Sequence, residues 1–335
     1  MKIVQILASR GYGGLERHFV ELSIQQSTQH QVHCIAAPEF SQYFEHTDVV
    51  FHSLDLTGWR YNPQSHLKLS RILTSIAPDI IHAQANKAAS IVRFHLGKAK
   101  ASVATLHNQK KSTSMFKPFD AVIAVSDEAK LHLSHSNTSI INNGIQAINS
   151  VRSKSDTSLK HTLSKDQPLI LTVGRLVDAK GFDLLIPAMK GINAQLCIAG
   201  TGPDHSLLEQ LIVEQQLDNI TLLGYRNDVE KLMSACDLLV ISSRKEGFPY
   251  VLIEALHNNC IILSTRIPGA EKYLPERALI QHTSISEIHQ AIQQAISQID
   301  TLTADYQDYH SIAQQELTLA KMTEKTLVVY KELLT

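Results

Sequence analysis

Asp237-Leu238-Leu239-Val240-Ile241-Ser242-Ser243 decides the fold. Four consecutive large aliphatic residues without alternation leave no polar face for solvent, so the segment reads as a strand covered on both faces, as in a parallel sheet. A parallel neighbour cannot be reached by a tight turn; it needs a crossover, usually a helix. Similar β-branched runs occur at 2–8, 31–37, 48–54, 79–84, 102–107, 121–126 and 139–143, and again at 169–174, 195–200, 219–224 and 260–265. Each ends in small or polar residues and leads into a helix-like stretch, mostly at spacings of roughly 18 to 26 residues, which suits strand–helix–strand units. Residues 150–167 are rich in Ser, Thr and Lys without apolar periodicity and read as a linker. The expectation is an α/β protein of two doubly wound domains, 1–155 and 160–315, with one more helical stretch at about 311–334.

Length and composition agree. The chain has 335 residues, enough for two domains at about 150 each. Hydrophobic residues make up 44% and charged residues 19%, a balance that excludes disordered, coiled-coil and collagen-like classes. A net charge of -1 provides no global field for nucleic acid, which is not an expected partner. The charge is unevenly divided: residues 1–150 hold 14 Lys/Arg against 10 Asp/Glu, and the remainder holds 17 against 22. Cys34, Cys197, Cys236 and Cys260 sit far apart beside apolar runs and read as reduced core thiols, which suits a cytoplasmic enzyme. The first apolar run is too short for a signal peptide, and none approaches the ~20 residues of a membrane span.

Open parallel sheets bind ligands beyond the carboxyl ends of their strands, so the loops there carry the chemistry. The first is Gly11-Tyr12-Gly13-Gly14, opening a helix whose free amides attract phosphate. Glu16 stands where the dinucleotide fingerprint requires its third glycine, which disfavours a dehydrogenase even though Glu39 imitates the ribose-binding acid. The plain alternative is a tight strand–helix turn. The second loop, Gly174-Arg175 through Lys180-Gly181, places two cations where they can clamp a diphosphate; alternatively it is a solvated loop with a Lys180–Asp178 pair. The third is Glu246-Gly247-Phe248-Pro249-Tyr250-Val251-Leu252-Ile253-Glu254. Pro249 suits a first helical turn, leaving the Val251 and Leu252 amides for an anion. Glu254 can accept from a ribose diol and Glu246 from sugar hydroxyls. The ordinary readings are a dipole-stabilised first-turn acid, and a loop carboxylate paired with Lys245 or Arg244.

These residues resemble the retaining GT-B glycosyltransferases of family 4. Glu246 and Glu254 match the paired-glutamate signature, Gly174-Arg175 with Lys180-Gly181 the diphosphate clamp, and Gly200-Thr201-Gly202-Pro203 the Gly-x-Gly-Pro loop. Gly224-Tyr225-Arg226, Gly13-Gly14-Leu15-Glu16, Thr105-Leu106-His107 and Asn143-Gly144-Ile145 are similar to further family positions. His82-Ala83-Gln84 departs from a frequent His-x-His, so no role for a second histidine carries over.

The resemblance implies two Rossmann-like domains facing across a cleft, the first for the acceptor and the second for a nucleotide-sugar, with a last helix (about 318–335) crossing back to the first. Glu246, His107, Arg175 and Lys180 would be catalytic. Gly13, Gly14, Gly202, Tyr225, Arg226, Gly247, Phe248, Val251, Leu252 and Glu254 would bind the donor. The acceptor hydroxyl would attack from the face that the diphosphate leaves, the cations would neutralise that diphosphate, and His107 would contact sugar or acceptor. Family usage favours a UDP-sugar, with guanine as the other base. No Asp-x-Asp occurs, and His132 and His135 read as polar helix residues, so neither metal nor other cofactor is expected.

Residues 80–119 contain no acid but include Lys87, Arg93, Lys98, Lys100, Lys110, Lys111 and Lys117, with Met115 and Phe116 as apolar tips. Such a patch suits an anionic bilayer or phosphorylated lipid. The expectation is peripheral attachment to the cytoplasmic face of the inner membrane and extension of a lipid-linked glycan such as lipopolysaccharide core. The alternatives are a nucleotide-sugar 2-epimerase of the same fold and a non-catalytic nucleotide-sugar-binding protein.

Overall fold

A computed structural model describes residues 1–109, 112–131, 133–147, 162–163 and 167–335. The expected linker and domain boundary fall largely on 148–161 and 164–166, outside the described residues. The chain divides into two compact units, Met1–Gly144 with Leu319–Thr335, and Ile145–Thr318.

Unit 1 is built on seven parallel strands: β1 (Lys2–Leu7), β2 (Gln31–Ala36), β3 (Val50–Ser53), β4 (Ile80–Gln84), β5 (Ala101–Leu106), β6 (Ala121–Ala124) and β7 (Thr138–Ile140). Their order is β3-β2-β1-β4-β5-β6-β7, so the winding reverses between β1 and β4. Helices cover both faces, which is why β1 and β4 are buried almost throughout. Phe19 and Leu22 of the helix Gly14–Ser27 and Met322, Val329 and Tyr330 of the helix Leu319–Leu334 pack on one face. Leu69 and Leu73 of the helix Pro63–Ile76 and Ala88 and Val92 of the helix Ala85–Val92 pack on the other.

Unit 2 repeats the plan with β8 (Leu169–Val173), β9 (Gln195–Ala199), β10 (Ile220–Gly224), β11 (Leu238–Ile241), β12 (Ile262–Thr265) and β13 (Leu279–Ile280), in the order β10-β9-β8-β11-β12-β13. Here the winding reverses between β8 and β11, which pair Ile170 with Leu238.

All twelve expected strands are present, most of them a residue or more shorter than their apolar runs. β13 is additional; two residues are too few to show a period. The last helical stretch is two helices rather than one, Gln307–Glu316 and Leu319–Leu334. The break has a cause: the Ile145 amide donates to the Leu317 carbonyl at 3.1 Å, and Ile145 bridges Thr318 in parallel. The four cysteines are free and buried, and burial pushes the Cys34 thiol up to about 12 and Cys197 up to about 11. Among the described residues no helix is long and apolar enough to cross a membrane.

Candidate functional site

The carboxyl ends of β8 and β11 are joined by backbone. Gly181 adopts a left-handed conformation (φ 67°), and a Cβ there would lie 2.2 Å from the Ser242 carbonyl oxygen. Ser242 Oγ donates to the Lys180 carbonyl at 2.9 Å, and the Arg244 amide donates to the Ala179 carbonyl at 2.9 Å. This stitching brings Lys180 Nζ to 2.5 Å from Glu246 Oε1, which also accepts from Ser243 Oγ at 2.8 Å. Glu246 Oε2 has no partner among the described residues. Both ion-pair partners are largely covered, with side-chain exposures of 20% and 12%. Neither ordinary pairing holds: Arg244, not Lys180, meets Asp178, at 3.4 Å, and Glu246 takes neither Arg244 nor Lys245. Arg175 is exposed and has no hydrogen-bond or ion-pair partner among the described residues.

The loop after β9 closes onto the same place. A Cβ on Gly200 would lie 1.8 Å from the Gly174 carbonyl oxygen, so only glycine allows that approach. The Leu176 amide donates to the Thr201 carbonyl at 2.9 Å, holding Gly202 against Leu176. Gly174, Lys180, Gly202 and Glu246 are thereby on one stitched set of loops. Gly200 N donates to Gly224 O at 2.8 Å, which adds the end of β10. Beyond it Tyr225 is 78% exposed, while Arg226 is held by Asp228 through two bonds of 2.7 and 2.6 Å.

Pro249 precedes the helix Tyr250–His257 rather than starting it, with an extended backbone. The Leu252 amide turns to the Pro249 carbonyl at 3.2 Å, so the Tyr250 and Val251 amides lead the helix. The Val251 and Leu252 side chains are buried, and Glu254 is half-buried on the following turn. Gly247 is buried, and Phe248 anchors the loop in the core, edge-on to Tyr273 with centroids 6.1 Å apart.

In unit 1, Gly13 caps the helix Gly14–Ser27, and its amide donates to Glu16 Oε2 at 2.8 Å. Ser9 Oγ donates to Glu16 Oε1. A carboxylate of the chain itself thus takes up part of the glycine loop's capacity for an anion. His107, just after β5, lies 4.7 Å edge-on to His18, with its Nε2 2.8 Å from Gln84 Oε1.

Gln84 Nε2 donates to Gln5 Oε1 at 2.9 Å, and Gln5 Nε2 donates to Gln26 Oε1 at 2.9 Å and to Tyr330 OH at 3.1 Å. Tyr330 OH then meets His82 Nδ1 at 2.5 Å, and His82 Nε2 meets Thr105 Oγ1 at 2.6 Å. Because Gln84 presents its oxygen, His107 carries its proton on Nε2, and Nδ1 is the acceptor. Burial first, then His18 and His82, pulls His107 well below the ordinary histidine value, so it is neutral at pH 7. Gln5 and Tyr330 were not singled out from the sequence, and Gln84 was noted only as standing where a second histidine is frequent. For Gln5 and Gln84 the signal was a polar residue inside an apolar strand, as in Lys2-Ile3-Val4-Gln5-Ile6-Leu7; Tyr330, in the helix Leu319–Leu334, had none.

The basic stretch is corrected in its apolar part. Phe116 is 1% exposed and Met115 packs against the unit 1 core, so neither is an exposed tip. Lys100 pairs with Asp79 at 2.8 Å and Lys87 Nζ bonds the Thr57 carbonyl, whereas Arg93, Lys98 and Lys117 are exposed. Lys110, Lys111 and His132 lie outside the described residues. His135 is in a loop rather than a helix, its ring bonded to the Asn137 and Phe119 carbonyls at 3.0 and 2.8 Å. Among the described residues no group of three side chains is placed to hold a metal ion.

Residues 12–147 match the model of Glycosyltransferase Family 4, and residues 153–311 that of Glycosyl transferases group 1. The GPI3 subunit of phosphatidylinositol N-acetylglucosaminyltransferase from Saccharomyces cerevisiae is 25% identical over 267 residues, covering 75% of this chain but only 59% of the yeast protein. The lipopolysaccharide core biosynthesis glycosyltransferase LpsE of Rhizobium meliloti is 24% identical over 217 residues, 62% of each chain. Anabaena Alr3699/HepE, solved in complex with UDP-glucose, superposes with a TM-score of 0.87 at 19% identity, over 99% of this chain and 100% of that one. Two doubly wound units of this kind define the GT-B fold. The chain belongs to glycosyltransferase family 4, its second half being the group 1 module.

Proposed function

We propose that the protein is a retaining glycosyltransferase that moves a sugar from a UDP-sugar to a glycan acceptor without a metal ion. The observation that carries this reading is the Lys180–Glu246 pair, 2.5 Å apart at the carboxyl ends of β8 and β11, with Arg175, unpaired among the described residues, on the same loop as Lys180. A diphosphate at this switch point receives two cations, and Lys180 keeps protons to donate beside the one directed to Glu246. Glu246 Oε2 accepts a hydroxyl of the transferred sugar, and Glu254 accepts from the ribose. The protein then contributes position and preorganised charge rather than a nucleophile, and a leaving phosphate oxygen takes the acceptor's proton.

Unit 1 holds the acceptor, with His107 Nδ1 accepting from one of its hydroxyls. In this reading the acceptor is lipid-linked, and Arg93, Lys98 and Lys117 meet anionic headgroups. That the complex of a structural neighbour contains UDP-glucose supports the choice of base, and the lipid-directed names of two relatives support the acceptor class.

Thermal-shift screening of nucleotide-sugars tests the donor: a UDP-sugar raises the melting temperature and a GDP-sugar does not. Proton NMR of the product tests the stereochemistry, with an anomer matching the donor's expected. Conversion of the donor to its 2-epimer without acceptor would overturn the transferase reading.

A further inference from the structure

Beyond the loops already described, unit 1 has a cavity of about 140 Å³ lined by Asp55, Trp59, Arg60, Asn62, Ser65 and His66 among others. Trp59 is 69% exposed and stands edge-on to Tyr61, with centroids 5.9 Å apart; Tyr61 in turn meets Phe94 at 6.2 Å. Exposed aromatics in mutual contact beside a concave site offer a rigid apolar face at little entropic cost.

The polar lining is unusual in its balance. Asp55 is committed to the loop: Oδ1 accepts from the Thr57 amide at 2.8 Å and hydroxyl at 2.6 Å, and Oδ2 accepts from Arg10 at 2.5 Å. Asn62 Oδ1 accepts from the Gln64 amide at 3.0 Å. His66 is fixed between the Arg60 carbonyl at 2.9 Å and His95 at 2.8 Å. What remains without a partner among the described residues is mostly donors: the Arg60 guanidinium and Asn62 Nδ2, with the Ser65 hydroxyl able to donate or accept. In sequence, residues 55–109 hold seven Lys/Arg and two acids, and both acids are already paired: Asp55 by Arg10, and Asp79 by Lys100 at 2.8 Å.

A neutral sugar can accept from these donors through its hydroxyl oxygens, but it brings no charge to match the Arg60 guanidinium, and its own hydroxyl hydrogens meet only the Ser65 oxygen among the unpartnered side chains. An anionic sugar presents acceptor oxygens to the donors, with its ring for the indole. We propose that this cavity binds an acidic saccharide, one bearing a phosphate or carboxylate, with Trp59 against the ring and Arg60 on the anion. That the saccharide is part of the acceptor rests on the transferase reading; that the cavity binds it does not.

Trp59 is the only tryptophan of the chain, so intrinsic fluorescence reports on this cavity. The full-length protein is titrated with glucose 6-phosphate, glucuronate, glucose and inorganic phosphate. Saturable changes in Trp59 emission are expected with the two sugar acids, about tenfold weaker with glucose or phosphate alone, and weakened about tenfold by Arg60→Met with an unchanged circular dichroism spectrum. Glucose as effective as the acids, or Arg60→Met without effect, would overturn the proposal. So would an emission shift with phosphatidylglycerol vesicles and none with the sugar acids, which makes the aromatics a lipid-docking surface. The thermal-shift screen of nucleotide-sugars is read in parallel. Donor binding absent with sugar-acid binding present sinks the transferase reading alone; the reverse sinks this one alone.

Discussion

Lys180 and Glu246 neutralise each other across 66 positions of sequence, so removing either leaves a largely covered charge without its partner. Lys180→Ala is expected to lower turnover by about 10²–10³, the scale for one preorganised charge donor, in an assay of UDP-sugar consumption. An unchanged rate removes Lys180 from the site. Gly181 makes a second residue-scale prediction, through structure rather than charge. Alanine there meets the Ser242 carbonyl at 2.2 Å in a left-handed backbone, so Gly181→Ala should cost about 1–3 kcal/mol and lower the melting temperature by several degrees. Retained thermal stability would show that the loop can yield. The acids and cations were legible as residue types at telling spacings after strands. Their partners were not, because Lys180 meets Glu246 only once β8 and β11 are neighbours, and that adjacency is set by sheet order rather than by local pattern.

At the scale of elements, β1, β4 and β5 share a buried polar chain where an apolar interior is the rule. Burial lowers His18 to about 4 and His82 to about 3, and takes His107 well below its ordinary value too. In the unfolded chain these rings titrate near 6.5. Between 6.5 and about 4 the unfolded chain therefore binds protons that the folded unit refuses, and stability falls as pH falls, by up to about 1.4 kcal/mol per pH unit for each ring. Urea unfolding at pH 7.5 and 5.0 should show that loss, and His82→Gln should flatten the slope by about one proton. An identical slope would mean that His82 does not stay neutral.

The same chain fixes the tautomer of His107. Ring nitrogen NMR should find the proton on Nε2, and Gln84→Met should release it to either nitrogen. A ring held on Nε2 in that variant would show that Gln84 does not position it. Gln5, His82 and Gln84 were visible in the sequence as misfits in apolar runs, but Tyr330, 248 residues beyond His82, was beyond the reach of any local pattern.

For the whole molecule, alternation of apolar runs with helical segments carried the reading of two doubly wound units, because every parallel pairing requires a crossover and leaves its mark in spacing. What spacing cannot carry is a contact made by a single backbone group, and one such contact divides the last helical stretch: Ile145 takes the Leu317 carbonyl and leaves Leu319–Leu334 to start afresh in unit 1. That helix supplies Met322, Leu327, Val329 and Tyr330 to the core around Ile3, Phe19 and Leu22, whereas unit 2 ends at Thr318. A chain terminated after Thr318 should therefore lose the folded structure of unit 1 and keep that of unit 2, because the lost apolar cover belongs to one core only. Calorimetry of the truncated chain should show one transition, still raised by UDP-glucose. Tyr330→Phe is the gentler version: it deletes the hydroxyl shared by Gln5, Gln26 and His82 and should cost about 1–3 kcal/mol, seen in the unit 1 transition alone. A truncated chain in which UDP-glucose no longer shifts any transition would mean that donor binding, too, depends on the last helix, and the division of labour between the units would fall.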